Sequence, residues 1–165
     1  MDGEVDLHEI YRVAARRLTA QIYGLTGDFA EAQDAVHEAF ARALARPSRL
    51  RGMASPEAWL RTVAMNVARS RHKRRMLFDR LARAGRLPHD EIVPSLSPDH
   101  VALVAALQRL PRAIRETVVL HYIADLPVAE VATTLGCSVE AVKTRLLRGR
   151  RALAAYLGER EGTHA

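Results

Sequence analysis

The chain has 165 residues, a formal net charge of +6 and a pI near 10.2, and 48% of its residues are hydrophobic. This apolar share supports packed cores and excludes a largely disordered chain. The single cysteine, Cys137, excludes an internal disulfide and a multi-cysteine metal site, and no apolar run approaches the roughly 18 residues of a membrane span. The acidic N-terminus, "MDGEVDLHEIYR", lacks the cationic and apolar regions of a signal peptide. We therefore expect a soluble, cytoplasmic protein without membrane insertion.

Charge is distributed unevenly along the chain. Residues 1–46 carry five basic and eight acidic side chains, residues 47–98 carry eleven and four, and residues 99–165 carry nine and seven. The three segments therefore have net charges of −3, +7 and +2. An acidic front followed by a strongly basic middle indicates separate surfaces for separate partners, and nucleic acid is the expected target of the basic part.

Apolar residues at spacings of three and four predict three helices in the first half. The first extends from about residue 5 to residue 26, and the second from about 29 to 45 with Asp28 as its N-cap. The third begins near Ser55, which precedes a proline at the first helical position, and continues into the basic stretch "RSRHKRR". Trp59 falls on the apolar stripe of this third helix, so we interpret it as a core residue.

The second half is predicted to contain four more helices. They lie at about 99–109, 112–123, 128–135 and 139–157. The Gly- and Pro-containing stretch 76–98 is interpreted as a linker with a short helix around 78–84. The sequence thus predicts an all-α fold with two small helical domains, 1–75 and 99–165, joined by a flexible linker.

The segment "PVAEVATTLGCSVEAVKTRLLRGRRAL" has the pattern of a helix-turn-helix: a short apolar helix, a Gly-containing turn and a basic amphipathic helix. Ser138 can cap the second helix, whose N-terminal residues would meet base edges in the major groove. The apolar stripe expected to face the domain consists of Val139, Val142, Leu146, Gly149 and Leu153. Because glycine inside a helix costs about 1 kcal/mol, Gly149 predicts the close approach of another backbone.

Residues 110–153 resemble the C-terminal domain of bacterial sigma factors, and "GDFAEAQDAVHEAFARAL" with "EAWLRTVAMNVARSRHKRR" resembles their N-terminal core domain. The blocks occur in the family order, and without a further domain the chain resembles the extracytoplasmic-function (ECF) group. The resemblance implies a protein that binds core RNA polymerase, directs it to promoter DNA and helps open the duplex. It implies no catalysis by this chain, no cofactor and no metal site. Factors of this group are often held inactive by an anti-sigma protein, and the sequence neither shows nor excludes such a partner.

The resemblance also assigns roles to residues. The residues expected to read the minus-thirty-five element as duplex are Lys143, Thr144, Arg145, Leu147 and Arg148. The residues expected at the minus-ten element are Arg49, Arg51, Met53, Asn66, Arg69, Lys73 and Arg74. The residues expected to dock on the coiled coil of the polymerase's largest subunit are Asp34, His37, Glu38 and Arg42. The loop 49–53 occupies the family's position for holding a base flipped out of the stack.

Several positions depart from the family pattern. Gln33, Ala35 and His37 replace the usual residues in the run "EAQDAVHE", and Pro127 replaces a common Ser or Thr cap. Glu140 stands where Gly is frequent and places a carboxylate beside the reading face. It could favour contact with a cytosine amino group or simply suit the helix N-terminus, and the sequence leaves both open.

The main alternative is a stand-alone helix-turn-helix regulator. It would explain residues 110–153 but neither the Asp34/Glu38 face nor the helix carrying Asn66, and it predicts tight duplex binding by the chain alone. An enzyme is disfavoured, because "HEAFA" at His37 lacks the second histidine of a zinc protease helix and the sequence has no phosphate-binding Gly loop.

Overall fold

The structure, a computed structural model, describes residues 6–81 and 97–163. Its α-helices are α1 (Leu7–Thr26), α2 (Phe29–Ala45), α3 (Pro56–Leu81), α4 (Pro98–Gln108), α5 (Arg112–Val118), α6 (Val128–Leu135) and α7 (Val139–Thr163). A 3-10 turn covers Pro47–Arg49, and α5 continues as a π-helical turn over Val119–Ile123. Within the two described ranges no residue is in a β-strand, and the all-α prediction is confirmed.

The chain divides into two compact units. In its described part, the first unit contains residues 6–22 and 28–81, and the second contains residues 23–27 and 97–163. Residues 76–81, predicted as the start of the linker, continue α3 because "MLFDRL" contains no Gly or Pro that would end a helix. The rest of the predicted linker, up to residue 96, lies outside the described residues.

The first unit is built on α2 and α3, which pack against each other through small side chains. Buried alanines occur on both helices, among them Ala32, Ala39 and Ala64, so that the two backbones approach closely. The predicted cap of α2 is confirmed, because Asp28 Oδ1 accepts a hydrogen bond from the Glu31 backbone N–H at 2.9 Å. Trp59 is half-buried and therefore lies at the edge of this core.

Buried polar groups in the first unit are paired. The Arg61 guanidinium donates from Nε to Gln21 Oε1 of α1 at 2.8 Å, and both residues are buried. Arg17 of α1 forms an ion pair with Glu57 at the start of α3, with 2.7 Å between Nη2 and Oε2. The buried Arg61–Gln21 bond fixes α1 against α3, because a buried donor without an acceptor would cost about 1–3 kcal/mol, whereas the Arg17–Glu57 pair lies at the surface.

The helix-turn-helix of the second unit forms as predicted from its turn residues. Gly136 ends α6 in the left-handed conformation (φ 65°), which glycine adopts without a steric clash because it has no Cβ. Ser138 Oγ then caps α7 by accepting from the Ala141 N–H at 3.1 Å. The stripe of α7 enters the core at Val142 and Leu146, whereas Val139 remains 39% exposed.

Gly149 is a packing residue, but the expectation that a backbone approaches it is wrong. A Cβ placed on Gly149 would lie 2.5 Å from Val118 Cγ2 and 3.0 Å from Ile114 Cγ2. Both atoms belong to side chains of α5. The absence of a Cβ therefore lets branched side chains of α5 reach the α7 backbone.

The turn between α4 and α5 is held by one arginine. Arg115 donates to the carbonyls of Leu107 at 2.9 Å, Gln108 at 3.1 Å and Leu110 at 2.9 Å. These carbonyls lie at or just after the C-terminal end of α4, where backbone carbonyls have no N–H partner from a further helical turn. Burial lowers the pKa of the Arg115 guanidinium, which nevertheless stays protonated and positions α5 for its contact with α7.

Candidate functional site

The outward face of α7 is a line of four exposed side chains. Glu140, Thr144, Leu147 and Arg151 follow one another at spacings of four, three and four, which places them on one side of a helix. Lys143 and Arg148 are also exposed and flank this line, so that most of the predicted reading residues share one surface. This surface is hereafter called the α7 face.

Arg145 differs from the other predicted reading residues. It is half-buried, and its Nη1 lies 3.5 Å from the Sγ of Cys137 in the turn before α7. At this position it borders the turn side of the α7 face, whereas Arg148 and Thr144 project outward. Of the five residues predicted to read duplex, Arg145 alone packs partly against its own helix-turn-helix.

Cations of the α7 face have few acidic partners. Lys143 Nζ lies 3.5 Å from Glu140 Oε1, in an ion pair whose side chains are 61% and 83% exposed. Arg148 and Arg151 are both exposed, and neither forms an ion pair with an acidic side chain of residues 6–81 or 97–163. The face is therefore positively charged, which suits a surface that contacts phosphates.

The cationic side chains of the basic run of α3 point in two directions, and some of them face α2. Arg71 points toward α2 and forms ion pairs with Asp34 at 3.4 Å and Glu38 at 3.0 Å. Arg75, one turn later, pairs with Glu31 and lies 3.6 Å from Asp28. Part of the +7 charge of the middle segment is thus neutralised by the acids of the front segment.

Among the predicted minus-ten residues, Asn66, Arg69 and Lys73 lie on the side of α3 away from Arg71, Arg74 flanks them, and the others lie on the preceding loop. Asn66, Lys73 and Arg74 are exposed, and Arg69 Nη1 donates to Asn66 Oδ1 at 3.3 Å. Asn66, Arg69 and Lys73 have the spacing of one helical face. This face (Asn66, Arg69, Lys73 and Arg74) is hereafter called the α3 face.

The loop between α2 and α3 contributes Arg49 and Arg51, which are exposed, and Met53, which is half-buried. Leu50 between them is almost fully buried and anchors the loop, and Gly52 has a positive φ of 77°. Sequence reasoning did not identify Leu50 as the anchor. A single leucine in an otherwise polar loop was the signal that could have identified it.

The predicted docking residues of α2 are engaged with one another and with neighbours. Arg42 Nη2 donates to Glu38 Oε1 at 2.7 Å, and Arg71 donates to the other oxygen of Glu38 at 3.0 Å. These bonds, the one from Arg42 foremost, hold the pKa of Glu38 below its usual value. His37 is exposed, and its Nε2 lies 3.2 Å from the hydroxyl of Tyr11 on α1.

Neither a metal site nor a membrane helix is found in the described part of the chain. Among those residues no group of three or more His, Cys, Asp or Glu side chains could hold a metal ion. None of the described helices combines the length and apolar character that crossing a bilayer requires.

Comparison with known proteins decides the family. The model for Sigma-70 region 2 matches residues 10–77, and the model for Sigma-70, region 4 matches residues 100–153. The ECF RNA polymerase sigma factor SigL of Mycobacterium tuberculosis is 34% identical over an alignment covering 82% of this chain and 79% of SigL. The chain belongs to the ECF RNA polymerase sigma factors. The resemblance seen in the sequence is therefore confirmed.

Other relatives of this sigma factor differ in length. SigW of Bacillus subtilis is 28% identical over 94% of this chain and 89% of its own. The chain spans only 39% to 62% of the length of three further relatives. Among solved structures, the sigma factor RpoE of Bartonella quintana, crystallised with the anti-sigma factor NepR, has a TM-score of 0.79 at 22% identity and is covered over 97% of its length. That likeness shows a common fold.

The matched regions contain the surfaces described above. The region 2 match includes the α3 face, the loop 49–53 and the acidic positions of α2, and the region 4 match includes the helix-turn-helix. Sequence reasoning missed the pairing of Arg71 and Arg75 with α2. Acids in "EAQDAVHE" and arginines in "RSRHKRR" at matching helical spacing were the available signal.

Proposed function

We propose that this sigma factor binds core RNA polymerase and directs it to a class of promoters. The α7 face would read the minus-thirty-five element as duplex, through Lys143, Thr144, Leu147 and Arg148, with Arg145 at its border. Arginine and lysine make the commonest specific contacts with guanine, at about 1–3 kcal/mol per good bidentate pair. Arg148, which is exposed and has no acidic partner in the described ranges, supports this role for α7.

The α3 face and the loop 49–53 would engage the minus-ten element during strand opening. Extruding a base costs a few kcal/mol, and a polar pocket beside a basic groove can offset that cost. Arg49, Arg51 and Met53 would form the pocket, and Leu50 would hold it in place. Asn66, exposed and oriented by Arg69, would supply the polar contact to the strand.

The acidic face of α2 would dock on the polymerase. Asp34, His37, Glu38 and Arg42 would lie against the coiled coil of the largest subunit, with Tyr11 and Arg71 holding His37 and Glu38 in place. Such a role places the protein in the cytoplasm with RNA polymerase. An anti-sigma protein is a further proposed partner.

One observation carries the proposal: this member of the ECF family has an outward cationic face on each matched region, the α3 face in region 2 and the α7 face in region 4. Run-off transcription with core polymerase freed of other sigma factors tests it. We expect promoter-specific transcripts from genomic fragments only when this chain is added. Tight, specific duplex binding by the chain alone, with no transcripts on adding core, would favour the stand-alone regulator instead.

Two substitutions test the division of labour between the faces. In holoenzyme, Arg148→Ala should weaken competition by minus-thirty-five duplex about 5- to 150-fold, because one bidentate base contact is lost. The control Arg160→Ala removes the same charge 12 residues further along α7, about 18 Å away, and should change competition little. Asn66→Ala should instead weaken binding of a single-stranded minus-ten oligonucleotide. If both substitutions affected only the duplex, the assignment of the α3 face would fail.

A further inference from the structure

Glu140 is the one acidic side chain of the α7 face, a surface that otherwise suits an anionic partner. Its side chain is 83% exposed, at the N-terminal end of the line that continues with Thr144 and Leu147. A carboxylate there would be driven away from phosphates by charge repulsion. A carboxylate in the first turn of α7 interacts favourably with the helix N-terminus, and in a DNA complex it either weakens binding or meets a hydrogen-bond donor in the groove.

The fold does not need the Glu140 carboxylate as a cap. Ser138 Oγ already accepts a hydrogen bond from the Ala141 N–H at 3.1 Å. The Glu140 carboxylate instead pairs with the Lys143 ammonium, 3.5 Å away. This pair is also highly exposed, and surface pairs of this kind stabilise a protein by about 1 kcal/mol at most. Glu140 and Lys143 therefore present an acceptor and a donor side by side, at the end of the helix that would enter the groove.

A C·G base pair presents the complementary groups. In the major groove the cytosine N4 amino group is a donor, and the guanine O6 and N7 of the same pair are acceptors. N4 and O6 are hydrogen-bonded to each other, so they lie roughly 2.9 Å apart. That separation is close to the 3.5 Å between Lys143 Nζ and Glu140 Oε1.

We infer that Glu140 and Lys143 together read one C·G base pair of the upstream element. Glu140 accepts from cytosine N4, and Lys143 donates to guanine O6 and N7. Glu140 is thus a specificity-determining residue of the α7 face. The inference rests on the proposed function and assigns one position of its recognition code.

The other base pairs match this arrangement less well. A reversed G·C pair would place O6 and N7 opposite the carboxylate and the amino group opposite the ammonium. An A·T pair keeps a central donor, the adenine N6, and a central acceptor, the thymine O4, but it adds the N7 acceptor beside the carboxylate and replaces the second acceptor for Lys143 by the thymine methyl. Reversal of the C·G pair should therefore be the most damaging change.

The test is transcription by holoenzyme from promoters in which each upstream-element base pair is varied singly. The wild-type chain should prefer C·G over G·C at one position by about 5- to 150-fold. Glu140→Ala should remove this preference at that position only. Glu140→Gln should move it toward A·T, since Gln pairs with adenine N6 and N7.

The matched control is Glu161→Ala, which removes the same charge from α7 about 32 Å from Glu140 and should leave all preferences unchanged. If Glu140→Ala raised activity evenly on every promoter, Glu140 would act through charge alone and the inference would be overturned. A preference for another base pair at the affected position would overturn it as well. If no promoter-specific transcript formed with wild-type chain, the proposed function itself would fail, an outcome distinct from both.

Discussion

The two basic helices of this sigma factor carry similar runs of cations and use them differently. In α3, Arg71 and Arg75 are paired with acids of α2. In α7, Arg148 and Arg151 point outward, and contact with the rest of the unit is made by Val142, Leu146 and Gly149. A run of cations therefore does not by itself define a binding surface. The acids on the neighbouring helix decide how many cations remain for a partner.

The two modes of attachment also differ in strength. Partly exposed ion pairs contribute about 0–1 kcal/mol each, whereas a buried Val or Leu contributes about 1.5–3 kcal/mol. Loss of one core contact of α7 should therefore cost more than loss of one ion pair of α3, a helix that buried Leu60 and Met65 also hold in place. Substitutions in each helix test this difference.

The largest effect is expected at Gly149. Gly149→Ala places a Cβ 2.5 Å from Val118 Cγ2, and such overpacking costs about 1–3 kcal/mol, more than the roughly 1 kcal/mol that alanine gains in helix propensity. The free energy of unfolding of the second unit, followed by far-UV circular dichroism in urea, should fall by up to about 2 kcal/mol. Gly158→Ala in the same helix meets no atom within 4 Å and should raise it by about 0.5–1 kcal/mol. Equal signs for the two variants would contradict the packing role.

A smaller effect is expected in α3. Arg71→Ala removes the pairs with Asp34 and Glu38 and should lower the stability of the first unit by about 0.5–1 kcal/mol. Trp59, the only tryptophan of the chain, lies in α3 and reports this unit by fluorescence. Arg74→Ala, on the outward side, should leave stability within about 0.5 kcal/mol but weaken binding of minus-ten single strands. If Arg71→Ala and Arg74→Ala changed stability and single-strand binding by the same amounts, the inward and outward cations of α3 would not have different roles.

The smallest effect concerns pH. Hydrogen bonding by Arg42 lowers the pKa of Glu38 below 4.5, so its contribution to stability is present above about pH 4.5 and is lost as pH falls through the lowered value. Glu38→Gln should therefore reduce stability by a few tenths of a kcal/mol at pH 7 and by less near pH 3. The Trp59 unfolding midpoints of wild type and variant at both pH values measure this. Glu9→Gln in the first turn of α1 serves as the control, and a loss independent of pH would refute the ionic origin.

Local signals in the sequence located most of the elements. The second helix was predicted at 29–45 and α6 at 128–135, and both are observed there, because Asp28 and the turn at Gly136 act through neighbouring backbone groups. The π-helical turn at 119–123 was not predicted, since it carries no cap or breaker of its own. The extension of α3 to Leu81 was missed because a weak periodicity was taken for a linker.

The surfaces were only partly predictable. The sequence by itself determined the all-α class, the caps, the helix-turn-helix and the family, because each depends on residues that are close along the chain. Only the tertiary structure decided which cations form ion pairs within the protein, since Asp34 of α2 and Arg71 of α3 come together across two helices. It likewise decided that Val118 fills the space left by Gly149, and that Leu50 anchors the loop. These contacts join residues distant in sequence, and helical spacing states which face a side chain occupies but not what packs against it.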